Sequence, residues 1–108
     1  MERDKLFVQH MRDAIIAIEH HTAEVDREKF FASQLIQDAV VRQILVIGEA
    51  TNQLSPEFLE RHSQIPWHAI SGMRNQLVHG YFQVDLEEVW KTVQKDIPSL
   101  KSALEKLA

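Results

Sequence analysis

Eight consecutive residues, 74–81, gather side chains that could do chemistry more densely than any other stretch of this sequence. They combine a fixed cation, an amide, a titratable imidazole and a phenol, supplied by Arg74, Asn75, His79 and Tyr81. A guanidinium stays charged and grips phosphate oxygens with two parallel hydrogen bonds. An imidazole with an unperturbed pKa near ~6.5 can pass protons at neutral pH. The stretch is therefore suited to binding or transforming a phosphate group.

Cleavage of RNA needs little more than such a pair. When the 2′-hydroxyl attacks its own phosphate, the enzyme must move a proton and stabilise the charge that develops on the phosphate. DNA lacks this hydroxyl and cannot react by the same route. The motif by itself is weak, however. An Arg and a His near a helix end more often interact with the helix dipole, Asn75 can bond locally to backbone, and Tyr81 can simply pack.

The chemical residues are predicted to lie on the last turns of one helix and its exit. Pro66 suits a first helical turn, and Gly80 suits a left-handed C-terminal position. Between them the apolar positions are Ala69, Ile70, Met73, Leu77 and Val78. On such a helix Asn75 and His79 share one face, and Arg74, about 140° away from His79, is long enough to reach around.

The rest of the chain is also predicted to be helical. Its 108 residues are 44% hydrophobic, with only three glycines and three prolines, and no strand-like alternation occurs. We expect a single all-α domain over residues 1–108, an up-and-down bundle of four to five main helices without a sheet. Helices are predicted over 4–20, over 33–54 and from Ser55-Pro56 to about 62. A last helix is predicted from Asp85 onward, with Glu88 completing a capping box. Pro98 is expected to bend this last helix or to split it in two. A short helical turn is possible over 26–32.

The helix over 33–54 is more apolar than one buried face requires. Its apolar residues cover well over half of the circumference, which is typical of a helix buried on more than one side. In a small domain the second side is plausibly a partner subunit, and Gly48 would let another helix approach closely. Arg42 and Glu49 lie on the remaining polar strip, where an internal charge-paired face is favoured over a functional one.

Composition excludes several classes of function. A net charge of −4 argues against a sequence-blind nucleic-acid binder. The absence of cysteine excludes disulfides and thiolate metal sites, and no apolar run approaches a membrane span. The N-terminus has no signal-peptide pattern, so we expect a cytoplasmic protein. The histidines lack a metal-binding spacing, and neither a metal nor a cofactor is predicted.

A family resemblance sharpens this prediction. Arg74, His79 and Tyr81 form an Arg-x4-His-x-Tyr motif with a polar Asn75 after the arginine. Further matching segments are Ile65-Pro66-Trp67, Gly72-Met73, Leu77-Val78, Ile47-Gly48-Glu49-Ala50, Val89-Trp90 and Ile97-Pro98. Over its whole length the chain resembles the HEPN superfamily, and within it the HepT-like toxins that are paired with MntA-type minimal nucleotidyltransferase antitoxins.

The resemblance implies a metal-independent endoribonuclease that acts as a homodimer on mRNA or tRNA. It implies that Arg74 holds the scissile phosphate, that His79 is the general acid and base, and that Asn75 supports them. It also implies that a cognate nucleotidyltransferase silences the toxin by attaching AMP to Tyr81. Two alternatives stay open: a non-catalytic HEPN subunit that binds nucleotides beside a nucleotidyltransferase, and a structural helical dimer in which Arg74 and His79 are incidental.

Overall fold

The computed structural model describes residues 2–79 and 83–107, and of Val78 and His79 it describes only the backbone. The described elements are α1 (Glu2–His21), α2 (Arg27–Ala32), α3 (Gln34–Asn52), α4 (Pro56–Arg61), α5 (Trp67–Ser71), α6 (Met73–Leu77), β1 (Val78–His79), β2 (Gln83–Val84), α7 (Leu86–Lys91), a π-helical turn (Thr92–Asp96) and α8 (Ile97–Glu105). The expected all-α class is confirmed, with one short strand pair as its exception.

The longest helices, α1 and α3, pack along each other and form the centre of the core. Their buried apolar side chains recur every three or four residues, as the sequence pattern predicts. These core residues are Val8, Met11, Ala14, Ile15 and Ile18 on α1, and Val40, Ile44, Ile47 and Ala50 on α3. The pair supplies a rigid base on which the remaining, shorter elements rest.

Side-chain caps fix where four of the helices begin. Asp26, Ser33, Ser55 and Asp85 each accept a hydrogen bond from a backbone N–H in the first turn of α2, α3, α4 and α7. The predicted helices over 4–20 and 33–54, the possible turn over 26–32 and the Ser55-Pro56 start are confirmed. The capping box at Asp85 is only half formed, because the backbone N–H of Asp85 donates to the carbonyl of Leu77 instead.

The predicted bend at Pro98 takes the form of a π-helical turn. Residues Thr92–Asp96 are widened to π geometry directly before α8, in which Pro98 is the second residue. Proline has no N–H, and its ring collides with the carbonyl four residues earlier, here that of Gln94. Widening the preceding turn relieves this collision. The last helix is thereby divided into α7, the π-helical turn and α8, so the expected interruption is confirmed.

The single helix predicted for residues 66–79 is wrong. It is broken at Gly72 into α5 and α6, and it ends at Leu77. Val78 then pairs with Val84, and His79 with Gln83, in a two-residue antiparallel ladder where no strand was expected. The physical reason is the pairing of the two segments: β-branched Val78 and Val84 favour extended backbone, and the Asp85 N–H closes the ladder on the Leu77 carbonyl at 2.7 Å.

Candidate active site around Arg74

Helix α5 is held against α3 by a close backbone approach. A Cβ atom at Gly48 would lie 3.3 Å from the carbonyl oxygen of Ser71, the last residue of α5. Even the methyl group of alanine would require the Ser71 carbonyl to move by a few tenths of an ångström. The prediction that Gly48 admits another helix is therefore confirmed, and the helix it admits belongs to the same chain.

Trp67 anchors the start of α5. Its indole Nε1 donates to the carbonyl of His62 at 3.0 Å, and its ring lies 5.9 Å from that of Phe58. Its side chain is buried, with 8% of its surface exposed. Trp67 is thus a packing anchor and not a platform on which a base could stack. Trp90 has a similar role, since its ring lies 5.2 Å from the buried ring of Phe30.

Helix α6 turns its apolar side inward and presents Arg74 and Asn75 on the remaining surface. Met73 and Leu77 are buried, Arg74 is partly buried and Asn75 is exposed. Gln76 lines a groove toward α8, and Arg74 lies about 200° around the helix from Gln76. Arg74 therefore leaves α6 from the flank that faces away from that groove. The long side chain of Arg74 thus extends from a short helix that is anchored by the burial of Met73 and Leu77.

His79 lies at the end of β1 and not on the helix. The predicted stacking of Asn75 and His79 on one helical face is wrong, because α6 ends two residues before His79. The backbone of His79 pairs with that of Gln83, and this pairing fixes the position of the His79 backbone at the end of the ladder. Tyr81 and the predicted C-terminal Gly80 lie outside the described residues, in the connection between the two strands.

Further polar side chains lie on α1, α3 and α5. Arg12 donates to the carbonyl of Leu104 at 2.8 Å and so ties α1 to α8. His68 is exposed on α5. Arg42 and Glu49 are both exposed on α3, and the structure shows no ion pair between them. Within residues 2–79 and 83–107, no three His, Cys, Asp or Glu side chains are grouped to hold a metal ion.

One surface feature is not indicated by any local sequence pattern. A groove of about 300 Å³ separates α5 and α6 from the last helix, with Gln76, Asp96 and Ser99 at its polar edge. Its lining comes from two distant stretches, 65–76 and 96–103, which only the fold brings together. Because Gln76 and Arg74 leave α6 on opposite flanks, this groove is separate from the candidate site.

Among the described residues, no helix has the length and apolar content needed to cross a membrane. No solved structure gives a significant match to the chain. Curated relatives do. "Probable ribonuclease HepT" of Thermococcus cleftensis is 42% identical over 103 residues, covering 95% of this chain and 94% of the relative. "Putative RNase" of Caldanaerobacter subterraneus subsp. tengcongensis is 32% identical over 107 residues, covering 99% and 96%.

A third relative is a longer protein. "Gamma-glutamylcyclotransferase and putative RNase" of Methanocaldococcus jannaschii is 42% identical over 108 residues, which is 99% of this chain but only 49% of that protein. The chain thus spans about half the length of this relative. A family model described as "Ribonuclease HepT-like" matches residues 11–107, a range that includes the whole motif from Arg74 to Tyr81. The chain belongs to the ribonuclease HepT-like family.

Proposed function

We propose that this protein is a metal-independent endoribonuclease and the toxin of a type VII-like toxin–antitoxin module. It cleaves cytoplasmic mRNA or tRNA in a cleft that two copies of the chain share. The observation that carries the proposal is the Arg-x4-His motif of a HepT-like chain, with its arginine on the anchored helix α6 and its histidine at the end of the adjoining β1.

The proposed reaction needs two groups. A nitrogen of His79 accepts the proton of the 2′-hydroxyl, whose oxygen then attacks the adjacent phosphorus. The bond between phosphorus and the 5′-oxygen breaks, and the leaving oxygen takes a proton from an imidazolium. The products carry a 2′,3′-cyclic phosphate and a 5′-hydroxyl. No oxidant, metal or covalent enzyme intermediate is required.

Arg74 is proposed to stabilise the charge on the phosphate during this step. A guanidinium that is partly removed from water interacts more strongly with a phosphate than a fully solvated one. The partial burial of Arg74, on a turn fixed by Met73 and Leu77, supports this role. Asn75, exposed one residue further on, would orient the phosphate or the imidazole.

Silencing is proposed to act through Tyr81. A cognate MntA-like nucleotidyltransferase, which supplies its own ATP and Mg²⁺, would attach AMP to the phenol. Tyr81 is two residues from His79 in sequence, so the added phosphodiester and base would compete with RNA for Arg74 and His79. Protein that carries one AMP per Tyr81 and still cleaves RNA at the unmodified rate would contradict this mechanism.

The test is incubation of the purified protein with total RNA in EDTA, followed by analysis of the new ends. We expect 2′,3′-cyclic phosphate ends, and we expect them to be lost in Arg74→Ala. Gln76→Ala is the matched control, since it alters the opposite flank of the same helix and should leave cleavage unchanged. Tight nucleotide binding without cleavage would instead favour a non-catalytic nucleotide-binding subunit, and loss of activity in EDTA would contradict metal independence.

A further inference from the structure

The outer face of α3 carries two opposite charges that cannot neutralise each other within one chain. Arg42 and Glu49 are both exposed and lie seven residues apart. Seven residues are close to two full turns, so the two side chains share a face but are separated by about 10 Å along the axis. Between them lie two large aliphatic side chains, Leu45 and Val46, which the chain buries only in part.

This charged ridge borders a groove. The groove has a volume of about 430 Å³ and runs between α1 and α3, with Phe7, Val46 and Ala50 among its apolar lining residues. Arg42 and Glu49 also contribute to its lining. A ridge of side chains next to a groove is the arrangement that a second helix fills when two helices pack. The surface therefore has the shape of an interface as well as its charge.

The charge pattern is complementary to itself. The point halfway between Arg42 and Glu49 falls between Leu45 and Val46, so a two-fold axis there brings Arg42 of each copy opposite Glu49 of the other. Asp38 then lies opposite Gln53, and no like charges face each other. A shift that brought Asp38 opposite Glu49 would set two carboxylates together. The sequence of charges thus selects one antiparallel register.

We propose that this face of α3 is the interface between two copies of the chain, with Leu45 and Val46 at the two-fold axis and two Arg42–Glu49 ion pairs flanking them. The inference rests on the proposed function, because the shared cleft requires a dimer. It adds which surface makes that dimer and in which register. Burial of Leu45 and Val46 stabilises the dimer, and the ion pairs fix the orientation of one α3 helix relative to the other.

The proposed axis also determines where the two candidate sites lie. Leu45 and Gly48 are about 60° apart around α3 and so lie on the same flank of the helix. Gly48 contacts Ser71, from which the chain continues through Gly72 into α6. A two-fold axis perpendicular to both α3 helices places the Leu45 flanks of the two copies on the same side. Both α6 helices, with their Arg74 residues, then lie on one side of the dimer.

Charge reversal tests the register. In Arg42→Glu or Glu49→Arg, like charges face each other twice, and we expect the dissociation constant of the dimer to rise at least about tenfold. The double variant restores both pairs with their signs exchanged and should return to within about threefold of the wild type. The readout is sedimentation equilibrium at low salt. Lys95→Glu, an exposed reversal on the π-helical turn, is the control and should have no effect.

Cysteine cross-linking tests the axis independently of charge. The chain has no cysteine, so Leu45→Cys introduces a single thiol next to its counterpart, and mild oxidation should give a covalent dimer. Lys95→Cys should form no covalent dimer under the same conditions. If both charge-reversal variants still dimerise as tightly as the wild type and Leu45→Cys does not cross-link, the proposed interface is wrong. The proposed RNA cleavage by a dimer would not be affected by that result. A monomer at all concentrations would overturn the inference and the shared cleft together.

Discussion

Helix α3 and the segment from α5 to β2 lie against each other and are built in opposite ways. Helix α3 has 19 residues, begins at a side-chain cap on Ser33 and buries a continuous apolar face. Helices α5 and α6 have five residues each, and Pro66 at the start of α5 provides no side-chain cap. The first region is stabilised by the packing of its long apolar face against α1, whereas the second depends on single contacts at its beginning, middle and end.

Three of these contacts are specific bonds or close approaches. Trp67 fixes the beginning of the segment, the approach of Ser71 to Gly48 fixes its middle, and the bond from Asp85 to Leu77 fixes its end. Isolated helices of five residues are not stable in water. The candidate chemistry is thus carried by the part of the fold with the least stability of its own, a common property of functional segments.

The largest expected effect comes from the core between α1 and α3. Ile44 is fully buried, and Ile44→Ala should lower the free energy of unfolding by about 2–5 kcal/mol, because it removes burial and leaves a cavity. Ile16→Ala, at a position 59% exposed on α1, should change it by less than about 0.5 kcal/mol. Urea denaturation measures both. Equal losses would mean that the α1–α3 pair is not the main source of stability.

Asp4, on α1, makes a buried polar tie to Ser55 at the start of α4. Its carboxylate accepts bonds from the backbone N–H and the hydroxyl of Ser55, each at 2.8 Å, and Ser55 in turn caps α4. Asp4→Ala should cost about 1–3 kcal/mol in urea denaturation. Asp13→Ala, on the exposed side of α1, is the matched control. A comparable loss in both variants would argue that the tie to Ser55 contributes nothing.

The same carboxylate gives a pH dependence. Burial alone would raise the pKa of Asp4, but the two bonds from Ser55 and the nearby Arg61 hold it below its ordinary value. Because the folded pKa is the lower one, the contribution is present above the unfolded pKa of about 3.9 and is lost as pH falls through the folded pKa. Wild type should therefore lose more stability than Asp4→Ala on acidification below about pH 4, and parallel curves would contradict this.

Substitution of the two glycines is expected to give the smallest changes in stability, and it separates stability from positioning of the site. A Cβ at Gly72 would meet the carbonyl of His68 at an ordinary 3.5 Å, and the backbone there is right-handed helical. Gly72→Ala should therefore raise the free energy of unfolding by about 0.5–1 kcal/mol. Gly48→Ala should displace α5 and α6 and lower the RNA cleavage rate about tenfold or more, because small misplacements of a site are costly. Unchanged cleavage in Gly48→Ala would show that its contact with Ser71 does not position the site.

The contrast between the regions also explains what the sequence predicts well. The long helices and the Ser33 and Ser55 caps depend on local periodicity and on single capping residues, so their positions follow from the chain itself. The end of α6 does not, because Val78 continues the apolar helical pattern and its extended backbone depends on pairing with Val84. The sequence identified Arg74 and His79 as candidate residues, but it placed His79 on the wrong kind of element.

The most direct test of the account is the rate at which the protein cleaves one RNA at one phosphodiester in EDTA, measured for wild type and for His79→Ala. Both proteins are first shown by urea denaturation to be equally folded. We expect His79→Ala to be at least about 100-fold slower, in keeping with the loss of a general acid and base. A rate within about threefold of wild type would contradict the assignment of the chemistry to the segment that carries Arg74 and His79.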